Sequence, residues 1–355
     1  MIAGLDPVLL GASVIVAAQP LLLAALGELV VEKSGVLNLG VEGMMILGAI
    51  GGFATAVATG SPWLGFAVGA LAGAAISMIF GVLTQFLLSN QVATGLALTL
   101  FGLGLAALLG QSYAGLKPPS FAQVHVPVLS DLPVVGPLLL SHDPVVYLSL
   151  GLVSAVWYWL TRTRAGMVLR AVGENHDAAH ALGYRVVLIR LGAIAFGGAL
   201  AGLGGAYLSL VRVPQWNEGM TAGAGWIALA IVVFGGWNPW RVLLGALLFG
   251  GVTILQLNLQ AANLTPLWLL AFGLMLFAVW RTLRGTAHPL SILALWLGTI
   301  GVGLWAVVAP LTVQAQYMSM TPYLVTIVVL TVLSADRVRA GSAPANLGKP
   351  FHSAG

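Results

Sequence analysis

Unbroken apolar runs of about twenty residues, such as ALAGAAISMIFGVLTQFLL over 70–88, limit this chain more than any other feature. A helix rising 1.5 Å per residue needs that length to cross a hydrocarbon layer about 30 Å thick. A barrel strand would alternate apolar and polar positions, whereas these runs are apolar on every face. In lipid each backbone polar group must be satisfied within its own segment, so helices are the expected spanning element. Composition closes off a water-soluble fold. The 14 Lys+Arg and 10 Asp+Glu make up 7% of 355 residues, where soluble proteins carry about 25%. The expected fold class is all-α, a polytopic membrane protein with one transmembrane domain over 1–355. There are no cysteines, which excludes disulfides, thiolate catalysis and thiolate-bound metals. The opening MIAGLDPVLL lacks a basic region, so the first apolar stretch is expected to be retained rather than cleaved.

Apolar patterning places eleven spans near 8–27, 36–59, 63–88, 92–110, 144–161, 188–210, 223–235, 241–258, 266–280, 289–310 and 319–334. Positive charges near span ends stay cytoplasmic. Alternation with 162–187 inside puts twelve of the Lys and Arg in the cytoplasm and leaves Lys117 and Arg212 outside. This predicts an external N-terminus and a cytoplasmic C-terminus. The Pro-rich segment 111–143 is expected to form an external cap, and the Gly, Ser, Ala and Pro of 340–355 read as a disordered tail. Small residues at helical spacing (Gly48/Gly52, Gly69/Gly73, Gly198/Gly202) predict close helix packing.

Three polar clusters interrupt this pattern. The first, within 162–190, is TRTRAGMVLRAVGENHDAAHALGYRVVLIR. Gly173 breaks the chain, Glu174, Asn175 and Asp177 offer capping oxygens and negative charge near a helix start, and Gly183 suits the position after its end. A short cytoplasmic helix follows, either a solvated loop helix or a docking element whose small face, Ala178, Ala179 and Ala181, enters a partner's groove. His176 and His180 are spaced as metal ligands on a helix, but the Glu of a zinc-protease motif is missing between them, so no metal is expected.

The second cluster is GELVVEKSGVLNLGVEGMM, residues 27–45. Glu28, Glu32 and Lys33 read as a solvated turn. Asn38 and Glu42 lie at membrane depth, where polar groups are costly and serve either a buried structural role or a solute pathway. Gly35, Gly40 and Gly43 allow the helix to break there. The third cluster lies within 213–250. Thirteen residues from Gly223 to Gly235 are too few to span as a straight helix, so a half-helix lining a cavity is expected. Trp216, Asn217, Glu218 and Trp226 stand at its outer end, as interfacial anchors or as a stacking face for a planar solute. No GxxxxGK[ST] loop is present, no catalytic pair is spaced persuasively, and no cofactor is expected.

Together these residues resemble the permease subunit of an ATP-binding-cassette importer, in the superfamily of ribose-type and branched-chain amino-acid permeases. The resemblance is carried by Ser34-Gly35-Val36-Leu37-Asn38-Leu39 with Gly40, Glu42 and Gly43, by Thr163-Arg164-Ala165-Gly166 followed by Ala171-Val172-Gly173-Glu174-Asn175 and Ala178-Ala179, and by Gly223-Ala224-Gly225-Trp226 with Ala228, Ala230 and Gly235-Gly236. The wording SGVLNLGVEGMM and GWIALAIVVFG is most similar to nucleoside-type permeases served by a lipoprotein receptor of the basic-membrane-protein class. The resemblance implies a type II-like importer permease in the cell inner membrane with a core of about nine helices; the chain departs from the family at 266–311, where the sequence reads as an inserted pair of spans. It implies ATP hydrolysis by a separate cytoplasmic ATPase docked on 162–187 through Gly173, Glu174, Asn175, Asp177, Ala178, Ala179 and Gly183. It further implies a second, commonly different, permease and an external solute-binding protein. Asn38, Glu42 and Trp226 would border the pathway of a nucleoside or purine-like solute. A ribose-type sugar permease is the alternative. An ion-coupled secondary transporter would need internal repeats and a buried coupling site, and no convincing repeat is found.

Overall fold

The computed structural model describes residues 7–122, 124, 130, 134–261, 273–275, 277–278, 293, 295–301, 303, 320, 324–325 and 343–352. Among them there are helices and no strands. They run as α1 (Pro7–Lys33), α2 (Val41–Thr59), α3 (Pro62–Gln85), α4 (Gln91–Gly110), α5 (Pro144–Arg162), α6 (Arg164–Glu174), α7 (His176–Ala181), α8 (Val186–Tyr207), α9 (Ala224–Phe234) and α10 (Pro239–Ala261). Seven helices among the described residues are long and apolar enough to cross a membrane. The expected count of eleven is not reached there, and the predicted pair at 266–311 lies largely outside the described residues. The chain divides into two units, Met1–Gly251 with Val325–Gly355, and Val252–Leu324. The second contains the end of α10 and short helical stretches within 273–303.

In the first unit the core is built by α1, α2, α3 and α8. Their surfaces are apolar all round, so packing rests on close approach rather than on an amphipathic stripe. Gly48 of α2 faces Gly202 of α8 so closely that a Cβ would collide with that backbone. The small-residue spacing read from the sequence thus does the packing it predicts. Leu22, Leu26, Met44, Met45 and Phe53 fill the remaining space, each essentially buried.

The ends of the helices are fixed by their local chemistry. Ser61 caps α3 ahead of Pro62 at its first position, where a missing N–H costs nothing. Asp143 caps α5, its Oδ1 accepting from Val145 N at 3.0 Å. Its Oδ2 accepts from the Tyr207 hydroxyl at 2.6 Å, joining α5 to the end of α8.

Two features depart from the sequence reading. Helix α1 does not stop before a solvated turn but runs on to Lys33, with Glu28 and Glu32 both 1% exposed. The polar segment 162–187 holds two helices rather than one: α6 is capped by Thr163, whose Oγ1 accepts from Gly166 N at 3.1 Å. After it, Asn175 starts α7, its Oδ1 accepting from Ala178 N at 2.9 Å.

Candidate functional site

The break between α1 and α2 and the short helix α9 meet inside the first unit. Gly35 adopts φ +87°, a left-handed conformation that favours glycine, and turns the chain out of α1. Asn38 then organises the link: its Oδ1 accepts from Gly40 N at 2.9 Å, and its own N donates to Glu28 Oε1 at 3.2 Å. The side chain is fully buried. Glu42, on the first turn of α2, is turned toward the start of α9. Its Oε2 accepts from Gly225 N at 2.8 Å, and the backbone N–H groups of Gly223 and Trp226 lie around the same carboxylate. A negative group here satisfies donors that a helix start leaves unpaired and opposes the positive end of the helix dipole. The side chain is 3% exposed, so Glu42 caps another helix from across the fold.

Helix α9 is eleven residues long, about 16 Å at 1.5 Å per residue, and is preceded by non-helical turns through 213–223. The half-helix expected from the sequence is therefore present. Its far end is tied to α1: Trp237 Nε1 donates to Glu32 Oε2 at 2.5 Å, and Lys33 Nζ lies 5.9 Å from the Trp237 ring centre. Glu28 and Glu32 are thus not a solvated turn: Glu28 is bound by Asn38 of the break, ten positions on, and Glu32 by Trp237, which nothing local in the sequence connects to it.

Of the residues expected at the outer end of α9, Trp216 is 5% exposed and sits against Gly110 at the end of α4. It is a packed core residue rather than an interfacial anchor. Trp226 is 52% exposed. It lines a cleft of about 490 Å³ with Glu32, Leu37, Leu39, Leu96 and Val233. Among the described lining residues Glu32 is the one ionisable group, and no Lys or Arg contributes.

On the opposite side of the break lies the α6–α7 segment. Gly173, near the end of α6, packs so closely on the Lys33 carbonyl that a Cβ would collide with it. The break and the end of α6 are thus in direct contact. Asp177, Ala178, Ala181, Leu182 and Gly183 are exposed, Leu182 at 78%. Ala179, expected on the same docking face, is instead 3% exposed and packs with Val172, Val186 and Phe351. Gly183 has φ +88° after the end of α7, as its expected capping position requires. Glu174 closes α6 rather than opening α7, and its Oε2 accepts from Ala345 N at 3.3 Å. Among the described residues no group of three or more metal-ligating side chains occurs.

Residues 343–352, expected to be disordered, fold back onto this segment. Asn346 N donates to Gly173 O at 3.0 Å and Gly348 N to Gly35 O at 3.1 Å. Phe351 stands edge-on to His176 and His180, both 5.3 Å away between ring centres. Beneath them Arg190, with no solvent exposure, donates from Nε to Ser34 O at 3.2 Å, from Nη1 to Lys349 O at 3.2 Å and from Nη2 to His176 Nδ1 at 3.1 Å. Burial, and then the neighbouring Arg190 charge, hold the His176 imidazole below its ordinary pKa. From the sequence, Arg190 was one more cytoplasmic charge near a span end, with no signal of its contacts.

The family described as branched-chain amino acid transport system / permease component matches residues 11–280. The chain is 45% identical over 252 residues to a putative glucose ABC transporter permease of Haloferax volcanii, covering 70% of this chain and 77% of the relative. It is 33% identical to a nucleoside ABC transporter permease of Lactococcus lactis over 69% of this chain and 80% of the relative. It is 32% identical to a guanosine ABC transporter permease of Bacillus subtilis over 66% of this chain and 78% of the relative. No solved structure matches. The chain therefore belongs to the branched-chain amino acid transport system permease-component family and is an ABC transporter permease.

Proposed function

We propose that this permease carries a nucleoside or purine-like solute inward, together with a cytoplasmic ATPase, a second permease and an external solute-binding protein. The observation that carries the solute reading is the cleft beside α9, where an exposed indole, Trp226, stands with apolar side chains and the single carboxylate of Glu32, and no Lys or Arg is among the described lining residues. A planar, uncharged solute stacks on such a face, whereas a phosphate or carboxylate would find no positive partner. The relatives named for nucleosides and guanosine support the same solute class. The 45% identical relative named for glucose supports a second reading, a hexose, which also stacks on an indole and is also uncharged. Asn38 and Glu42 act on this pathway by fixing the break and the start of α9, and Trp226 touches the solute.

Uptake of labelled guanosine in cells expressing the complete importer tests the proposal. Unlabelled nucleosides should compete and glucose should not; competition by glucose alone refutes the nucleoside reading in favour of the sugar.

The face of α7 left open, around Asp177, Ala178, Leu182 and Gly183, is the docking surface for the ATPase; the exposed Asn175 caps α7, Gly173 and Ala179 are buried behind it, and Glu174 holds Ala345. In this orientation the N-terminus is external and the C-terminus cytoplasmic. The chain lacks Cys, so Leu182→Cys should resist an impermeant thiol reagent in intact cells while Ser120→Cys reacts. The opposite labelling would invert the topology.

A further inference from the structure

We infer that the C-terminal segment Ala343–His352 is a fixed strap that couples α7 to the break between α1 and α2, rather than a free tail or a plug that the ATPase displaces. The inference rests on the reading of α7 as the ATPase docking helix and adds a route by which its movement is passed on.

Three observations carry it. The strap clamps two elements that already touch, Gly173 of α6 and Gly35 of the break, through its own backbone, donating from Asn346 N to Gly173 O and from Gly348 N to Gly35 O. It supplies an acceptor, Lys349 O, to a guanidinium that simultaneously holds Ser34 of the break and His176 of α7. Each nitrogen of this buried guanidinium has one partner, and lifting the strap would take away that of Nη1. Finally, Phe351, 6% exposed, covers Val172 and Ala179, which are 0% and 3% exposed. Detachment would open an apolar patch to water at the membrane surface.

A detachable plug would be expected to cover the docking face itself, yet Asp177, Ala178, Ala181 and Leu182 stay exposed with the strap in place. The strap holds the inner face of α7 and leaves the outer face free. Displacement of α7 by a partner is therefore transmitted through Arg190 and the strap to Ser34–Gly35, where α1 ends.

The experiment uses the complete importer in proteoliposomes. Truncation after Ser342 and, separately, Phe351→Ala should leave the ATPase bound and hydrolysing, but uncouple it. Uptake should fall at least tenfold for the truncation and several-fold for Phe351→Ala, with hydrolysis changing less than twofold. Cross-linking Glu174→Cys to Ala345→Cys with a short bismaleimide should leave uptake within twofold of the unlinked protein. Three results would overturn the strap: uptake by both variants at the unaltered level, loss of the ATPase from Phe351→Ala, or abolition of uptake by the cross-link. If the truncated chain does not insert, Phe351→Ala and the cross-link decide. If the unaltered chain binds no ATPase, the importer reading fails instead. The strap then stands only if truncation raises thiol labelling of Ala179→Cys at least tenfold.

Discussion

The helix break and the region beneath α7 both bury charged side chains, but they use them differently. At the break, Glu28, Glu32 and Glu42 each hold one other stretch of chain: Glu28 accepts from Asn38 N, Glu32 from Trp237 Nε1, and Glu42 from Gly225 N with the Gly223 and Trp226 N–H groups beside it. Beneath α7 a single cation, Arg190, gathers three acceptors from three stretches. The carboxylates act as separate pegs, each fixing one end of α1, α2 or α9. The arginine acts as a junction, because its planar fork presents donors in several directions at once. Loss of a peg should loosen one helix end, whereas loss of the junction should loosen the break, α7 and the C-terminal segment together.

That difference is directly breakable. Arg190→Ala leaves three acceptors without their donor, Ser34 O and His176 Nδ1 buried and Lys349 O partly so, and should cost about 3 kcal/mol, with Arg190→Lys recovering only part because one ammonium cannot reach all three directions. Glu42→Ala removes a single charge-assisted cap and should cost about 2 kcal/mol, while Glu42→Gln, which keeps an acceptor oxygen, should lose roughly half as much. Thermal inactivation of the purified protein in one detergent measures all four. Equal losses for the two alanine variants would erase the distinction between junction and peg.

A smaller effect follows from His176. As Arg190 can only donate, His176 Nδ1 accepts and the ring is neutral in this arrangement. Its pKa is lowered here, chiefly by burial and then by Arg190, with Lys349 and His352 acting in the same direction, Asp177 opposing, and His180 across the Phe351 ring. A detached imidazole, with a pKa of about 6.5, binds protons more readily than the native one. The stabilisation is thus complete above about pH 6.5 and declines as the pH falls through that value. Labelling of Ala179→Cys, divided at each pH by that of the same protein unfolded so that the falling thiolate fraction cancels, should rise as the pH is lowered from 7.5 to 5.5, and His176→Asn should flatten the profile. A flat profile in the unaltered protein would remove His176 from the junction.

Much of this fold was legible because lipid imposes simple rules. Uninterrupted apolar runs gave the spanning helices, the spacings Gly48/Gly52 and Gly198/Gly202 announced close packing without naming the partner helix, and the short stretch after Gly223 had to be a half-helix. Asn175 and Gly183 marked the ends of α7 because caps are local chemistry. Contacts between distant stretches were not legible. Glu32 and Trp237 are 205 positions apart, and nothing near either names the other. Asn346, Gly348 and Phe351 sit among Gly, Ala, Pro and Ser, a composition that reads as disorder unless the α6 surface receiving them is known. Trp216 looked like an interfacial aromatic because its neighbours are polar, but the end of α4 buries it.

The central claim is that the open face of α7 receives the ATPase while its inner face belongs to the permease. Ala178→Glu tests it most directly. Ala178 is the third helical residue after the Asn175 cap, where a Glu favours the helix start; the variant should therefore fold and insert normally. Solute-stimulated ATP hydrolysis and uptake, measured in the same proteoliposomes, should both fall to background as the ATPase fails to dock. Normal stimulated hydrolysis and uptake in that variant would contradict the account.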